Sequence, residues 1–242
     1  MPLSTSFTMI FKYLRSAILA GFGAGIIASL LHLTFVQPLL LEAELYESGV
    51  IIHGQGTEIQ NQQVASSHDH DHDHSSNLIR NGLTALFFCL IYVGYALLLS
   101  ACLGVSELLN RPVSKKSGII WGICGFAALQ LFPAFGLPPE LPGSSAPGLE
   151  IRQLWWALTA FATALGCAAL FWNNSILIKI VGLAIILLPH LIGAPTVSEF
   201  KGVVPPELSA HFASRSLVTG LIVWSFLGVF LTHFWLKKWE RE

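Results

Sequence analysis

Along this chain, apolar stretches of about twenty residues alternate with short polar or proline-rich punctuation. Six mostly apolar runs stand out, Ser16–Val36, Leu83–Val105, Ser117–Leu137, Gln153–Trp172, Ser175–Gly193 and Ser216–Leu236. A helix crosses the hydrocarbon core of a bilayer with about 20 mostly apolar residues, so the pattern predicts an all-α, polytopic transmembrane helical bundle with six spans. The fifth run is the weakest, because it holds Lys179 and approaches its end at Pro189. Lys179 lies near one end of the run, where a lysine stem can snorkel to the interface, and a count of five spans stays open.

Within these runs, small residues recur four apart, Gly21 with Gly25 and Gly118 with Gly122. Such spacing lets neighbouring helices approach closely in lipid. The organisation is one membrane domain over residues 1–242, with one long connection at 38–80 whose polar second half has the composition of a disordered segment. The loops at 138–152 and 189–206 are rich in proline and read as rigid braces.

Composition agrees with the pattern. Hydrophobic residues make up 53% of the chain and charged residues 11%, against about a quarter charged in soluble domains. A net charge of -1 offers no basic field for nucleic acid, and the partner it implies is the lipid bilayer. The distribution of Lys and Arg orients the chain. With both termini inside (N-in/C-in), Lys12, Arg15, Arg111, Lys115, Lys116, Lys179, Lys237, Lys238 and Arg241 are cytoplasmic, and only Arg80, Arg152, Lys201 and Arg215 are outside. The first run follows Lys12 and Arg15 as a secretory signal would, but its 21 uncharged residues exceed a usual signal core, so it reads as a retained anchor. Cys89, Cys102, Cys124 and Cys167 all lie in apolar runs without CxxC spacing and read as small buried residues.

The most conspicuous chemistry lies at residues 66–76, SSHDHDHDHSS. An extended chain would set His68, His70, His72 and His74 on one side and Asp69, Asp71 and Asp73 on the other. Imidazole suits zinc, nickel, cobalt and copper, and carboxylates add neutralising charge, so the tract reads as a metal-collecting segment, with a solvated polar tract as the plain alternative. A loose imidazole site favours copper over cobalt or nickel, so this segment concentrates metal without selecting it. Deeper in the membrane, His32 shares a face within about 60° with Gly21, Gly25 and Ala28, which turns it toward the bundle as a metal ligand or as a hydrogen-bonded packing residue. Glu42, Glu44 and Glu47 follow Pro38 at the outer interface, where they form a cation ladder above His32 or are simply solvated. His190 and His211 are secondary metal candidates, and His211 lies four residues from Glu207 at a helix start, where the two can pair with each other.

No GxxxxGK[ST], HExxH, GxSxG or CxxC motif occurs, which leaves enzyme chemistry unsupported and implies no tightly bound cofactor. Two rival readings differ in class. One is a non-transporting metal-sensing or scaffold subunit of the membrane. The other is a membrane metalloenzyme, which needs three or more ligands at membrane depth, where the sequence supplies His32.

Five segments carry a resemblance: PLLLEAELYE from Pro38, FPAFGLPPELPG from Phe132, RQLWW from Arg152, LLPHLIGAP from Leu187 and VPPELSAHFASRSLVTGLIVW from Val204. In this order and spacing they resemble the CbtA family of predicted cobalt transporter subunits, across nearly the whole chain. The resemblance implies a multi-pass protein of the bacterial inner membrane that acts in cobalt uptake, in the context of cobalamin synthesis. It also implies a small, single-span, histidine-bearing (CbtB-like) partner subunit and Co2+ as the transported ion, with Ni2+ or Zn2+ as alternatives. At Ile79–Arg80 the sequence departs from the family's acidic-Arg pair.

Overall fold

Each apolar run folds as a helix, because a lipid environment leaves backbone N–H and C=O groups no partner except one another. The computed structural model describes residues 3–50, 70–197, 199 and 202–237, and side chains from Ile10 and Leu78 onward in the first two segments. Among these, α1 (Leu3–Leu31) passes through a π-helical turn (His32–Val36) into α2 (Gln37–Glu47). The next helix, α3 (His70–Leu108), returns. Then α4 (Gly118–Phe126) runs through a second π-turn (Ala127–Leu131) into the short α5 (Phe132–Ala134). The last three are α6 (Leu149–Trp172), α7 (Ile176–Ile192) and α8 (Pro206–Leu236).

Among the described residues, five helical segments are long and apolar enough to cross a membrane: Ile10–Glu47, Leu78–Leu108, Lys115–Ala134, Leu149–Trp172 and Pro206–Leu236. The sixth, α7, is apolar but has only 17 residues, which at about 1.5 Å per residue is near the lower limit for spanning. The weakest of the six predicted runs is thus shorter than each of the five candidate spans.

Glycines set the packing. A Cβ on Gly21 or Gly25 would strike the backbone of Val93 or Cys89, and one on Gly118 or Gly122 would strike α8 at Thr232 or Trp224. The two predicted glycine pairs therefore join α1 to α3 and α4 to α8. A third close approach, Gly166 on Gly182, joins α6 to α7. Side by side, the helices run in the order α3, α1, α8, α4, α6, α7, with α3 also touching α8. Contacts fall on one helix as they rise on its neighbour: Trp121 meets Trp172 and Gly136 meets Trp155 between α4 and α6, while Gly166 meets Gly182 and Trp155 meets His190 between α6 and α7. Neighbours are therefore antiparallel, and the start of α1 and the end of α8 lie at one end of the bundle.

The innermost helix is α8, whose Val223, Trp224, Leu227, Leu231 and Trp235 are all buried. Phe22, Leu86, Leu90, Phe161 and Leu183 lie on the outside, as lipid-facing residues must. At the other end, Leu39, Ala43, Leu141, Val204 and Leu208 form a second small core that ties α2 to the proline-rich loops and the start of α8. There, Arg152 pairs with Glu140 at 3.3 Å.

Candidate functional site

All the predicted metal-ligating positions that the structure describes belong to the loop end or its approach. His68 and Asp69 lie outside the described residues. His70, Asp71, His72, Asp73 and His74 begin α3, with helical backbone in place of an extended ladder. Positions 70 and 74 are then one turn apart and 72 is about half a turn from both. Glu42, Glu44 and Glu47 on α2 are exposed, as are Glu207 and His211 on α8. Among the described residues, no three His, Cys, Asp or Glu side chains gather into a group able to hold a metal ion. The described candidates are therefore spread along the surface and the approach.

His32 is half-buried on the α3 side of α1, its ring 4.9 Å from that of Phe88. It opens the first π-turn, and the sequence explains why the helix widens there. Pro38 has no N–H, so the Thr34 carbonyl loses its regular helical partner, and the backbone re-pairs with the Gln37 N–H on the His32 carbonyl. Arg215 of α8 donates to the Phe35 carbonyl at 3.2 Å inside this turn. The Gln37 amide donates to Asn81 at 3.0 Å, leaving its oxygen buried without a partner.

The second π-turn repeats the device. Pro133 removes a donor, and the Phe132 N–H pairs with the Ala127 carbonyl. Both turns sit against the same half of α8, on its two flanks. Gln130 lies within the second turn and reaches Gly220 of α8, its amide oxygen buried and unpartnered. A cleft of about 200 Å³ opens beside it, with Gln130 and Ser216 as polar lining among Leu129, Pro133, Trp156 and Leu217. The sequence reading did not single out Gln130, Ser216 or Gln37; a glutamine inside an apolar run near a proline was the available signal.

His190 is the most enclosed of the described candidates. Its ring lies 5.8 Å from Phe132, 5.9 Å from Phe135 and 5.8 Å from Trp155. Its Nε2 and the Trp155 indole nitrogen are both buried without a hydrogen-bond partner. Gly136 makes room for this cage, since a Cβ there would meet Trp155 and Ala194.

At the opposite end, Glu107 of α3 accepts from the Tyr13 hydroxyl at 3.2 Å and from the Trp235 indole at 2.7 Å. Tyr13 stacks flat on Trp235 at 4.1 Å, and the Lys12 ammonium lies 5.9 Å from the Trp235 ring centre. One carboxylate thus joins α1, α3 and α8 near the start of α1 and the end of α8.

The bundle of long apolar helices fits a multi-pass membrane protein. No curated protein and no solved structure matches the chain. The family model described as "Probable cobalt transporter subunit (CbtA)" matches residues 10–236, nearly the whole length, and the chain belongs to that family.

Proposed function

We propose that this protein admits Co2+, or a related divalent cation such as Ni2+ or Zn2+, across the bacterial inner membrane, with both termini cytoplasmic. The observation that carries the reading is the family match over residues 10–236. The geometry supports it. Lys12, Arg15, Arg111, Lys115 and Lys116 belong to the end where the chain termini meet, and that cluster suits the cytoplasmic side. The opposite end carries Glu42, Glu44, Glu47, His190 and His211, where metal would arrive.

In this reading, residues 66–76 raise the local metal concentration through His68, His70, His72, His74 and the aspartates between them. The exposed carboxylates of Glu42, Glu44 and Glu47 lead the ion toward the bundle, and His32 offers the first imidazole at membrane depth. His190 and His211 serve as secondary ligands. A small, single-span, histidine-bearing subunit completes the transporter. The chain catalyses no covalent chemistry in this scheme.

The test is uptake of radiolabelled cobalt into vesicles carrying this chain with and without its small partner, with nickel and zinc as competitors. Inward flux supports transport, and flux without the partner makes this chain the pore. Metal binding with no flux under either condition would replace transport with a sensing or scaffold role. Deleting residues 66–76 should weaken uptake mainly when metal is scarce.

A further inference from the structure

A dication inside a bilayer carries a large desolvation cost unless fixed negative charge accompanies it. Between the ends of the bundle, the apolar stretches of α1, α3, α4, α6, α7 and α8 contain no Asp or Glu. Histidine ligands bind but do not neutralise. Cysteine does both, because a thiolate is a metal ligand that carries charge.

The packing of α4 on α6 brings two cysteines together. The register fixed by Trp121 against Trp172 and Gly136 against Trp155 sets Cys124 opposite Cys167. The two side chains lie near enough to influence each other, and neither is in a disulfide. One turn along α6 from Cys167 lies Thr163, fully buried, with its hydroxyl unpartnered. The same four-residue ridge continues through Thr159 to Trp155, whose polar atoms are also buried and unpartnered, and Trp155 reaches His190 at the loop end. Unpaired polar groups are costly in lipid, so a row of them along one seam marks a place where a polar guest is accommodated.

We propose that Cys124 and Cys167, with Thr163 beside them, form a binding site for a thiophilic divalent transition-metal cation within the membrane. It deepens the transport reading by naming a station for the cation on the α4, α6 and α7 side of the bundle, reached along Trp155, Thr159 and Thr163. Binding is an exchange: two sulfur–metal bonds form, two S–H bonds break, and two protons leave to water. The resulting complex of one dication and two thiolates is neutral, which suits the low dielectric around it. The Thr163 oxygen and a water complete a four-coordinate shell.

Titration of Co2+ into the purified full chain in detergent tests this, because thiolate ligation produces sulfur-to-cobalt charge-transfer absorption that nitrogen and oxygen ligands do not. The expected result is a saturable band, lost in Cys124→Ser and in Cys167→Ser but kept in Cys89→Ser and Cys102→Ser. Thr163→Val should keep the band and weaken binding several-fold. Should the serine variants misfold, alkylation of the native chain decides: Co2+ should protect Cys124 and Cys167 from maleimide and leave Cys102 reactive. No band in the native chain, a band that survives either single substitution, or unprotected thiols overturns the site. Uptake measured alongside keeps the two readings apart, since uptake without a band removes this site alone. A band without uptake leaves the site standing and removes transport.

Discussion

Glu107 shows how one side chain fastens three helices. Its two oxygens take one hydrogen bond each, from Tyr13 and Trp235, and the rings of those residues stack on each other. In Glu107→Ala both donors lose a charged acceptor in a partly buried setting, with an expected cost of about 1–3 kcal/mol. Thermal unfolding in detergent should fall accordingly, and an unchanged midpoint would reduce the cluster to decoration. His32 belongs at the same scale but to function. At the head of the first π-turn, beside Phe88, it is the sole histidine of the first long helical segment, Ile10–Glu47. As a hypothesis following from its proposed role as an intramembrane ligand, His32→Ala should lower cobalt uptake at every metal concentration. Unchanged uptake would remove it from the path. Nothing local in the sequence marks Glu107, because its partners are 94 and 128 residues away along the chain.

Between elements, stability turns on how closely helix backbones meet. Gly122 lies against the Trp224 carbonyl with no room for a Cβ, whereas nothing lies within 4 Å of the position a Cβ would take on Gly94. Gly122→Ala should therefore cost about 1–3 kcal/mol through overpacking, while Gly94→Ala should be neutral or gain up to about 1 kcal/mol from helix propensity. Unfolding midpoints of the two variants should move apart, and a common shift would show that close approach does not govern this interface. Such contacts were legible in the sequence, since small residues four apart at Gly21 and Gly25, and at Gly118 and Gly122, announce a packing face before any partner is known. Which helix each face would meet was not legible. Neither were the π-turns, although Pro38 and Pro133 marked the places where a carbonyl would lose its donor. The pairing of Cys124 with Cys167 was hidden for the same reason: each reads as a small apolar residue until α4 and α6 are laid side by side.

At the scale of the whole molecule, the open issue in the sequence was whether five or six segments cross, and it turns on α7. Its 17 residues are few for a span, yet Gly182 packs on Gly166 and His190 packs on Trp155, so it retraces α6 from one end toward the other. A segment that retraces a spanning helix over this length shares its depth in the bilayer, and the local membrane can thin or the flanking residues reach out to meet a short helix. With six crossings, the start of α1 and the end of α8 would fall on one side, in keeping with the contact of Lys12 with Trp235. Single cysteines introduced at Asn174 and Thr196, in a chain whose native cysteines are replaced by serine, separate the cases. In intact cells a membrane-impermeant maleimide should label position 196 freely and position 174 only after permeabilisation, because the link between α6 and α7 would face the cytoplasm. Labelling of both only after permeabilisation would place α7 on the cytoplasmic surface, reverse the side of everything after it, and separate His190 from the path by which metal enters.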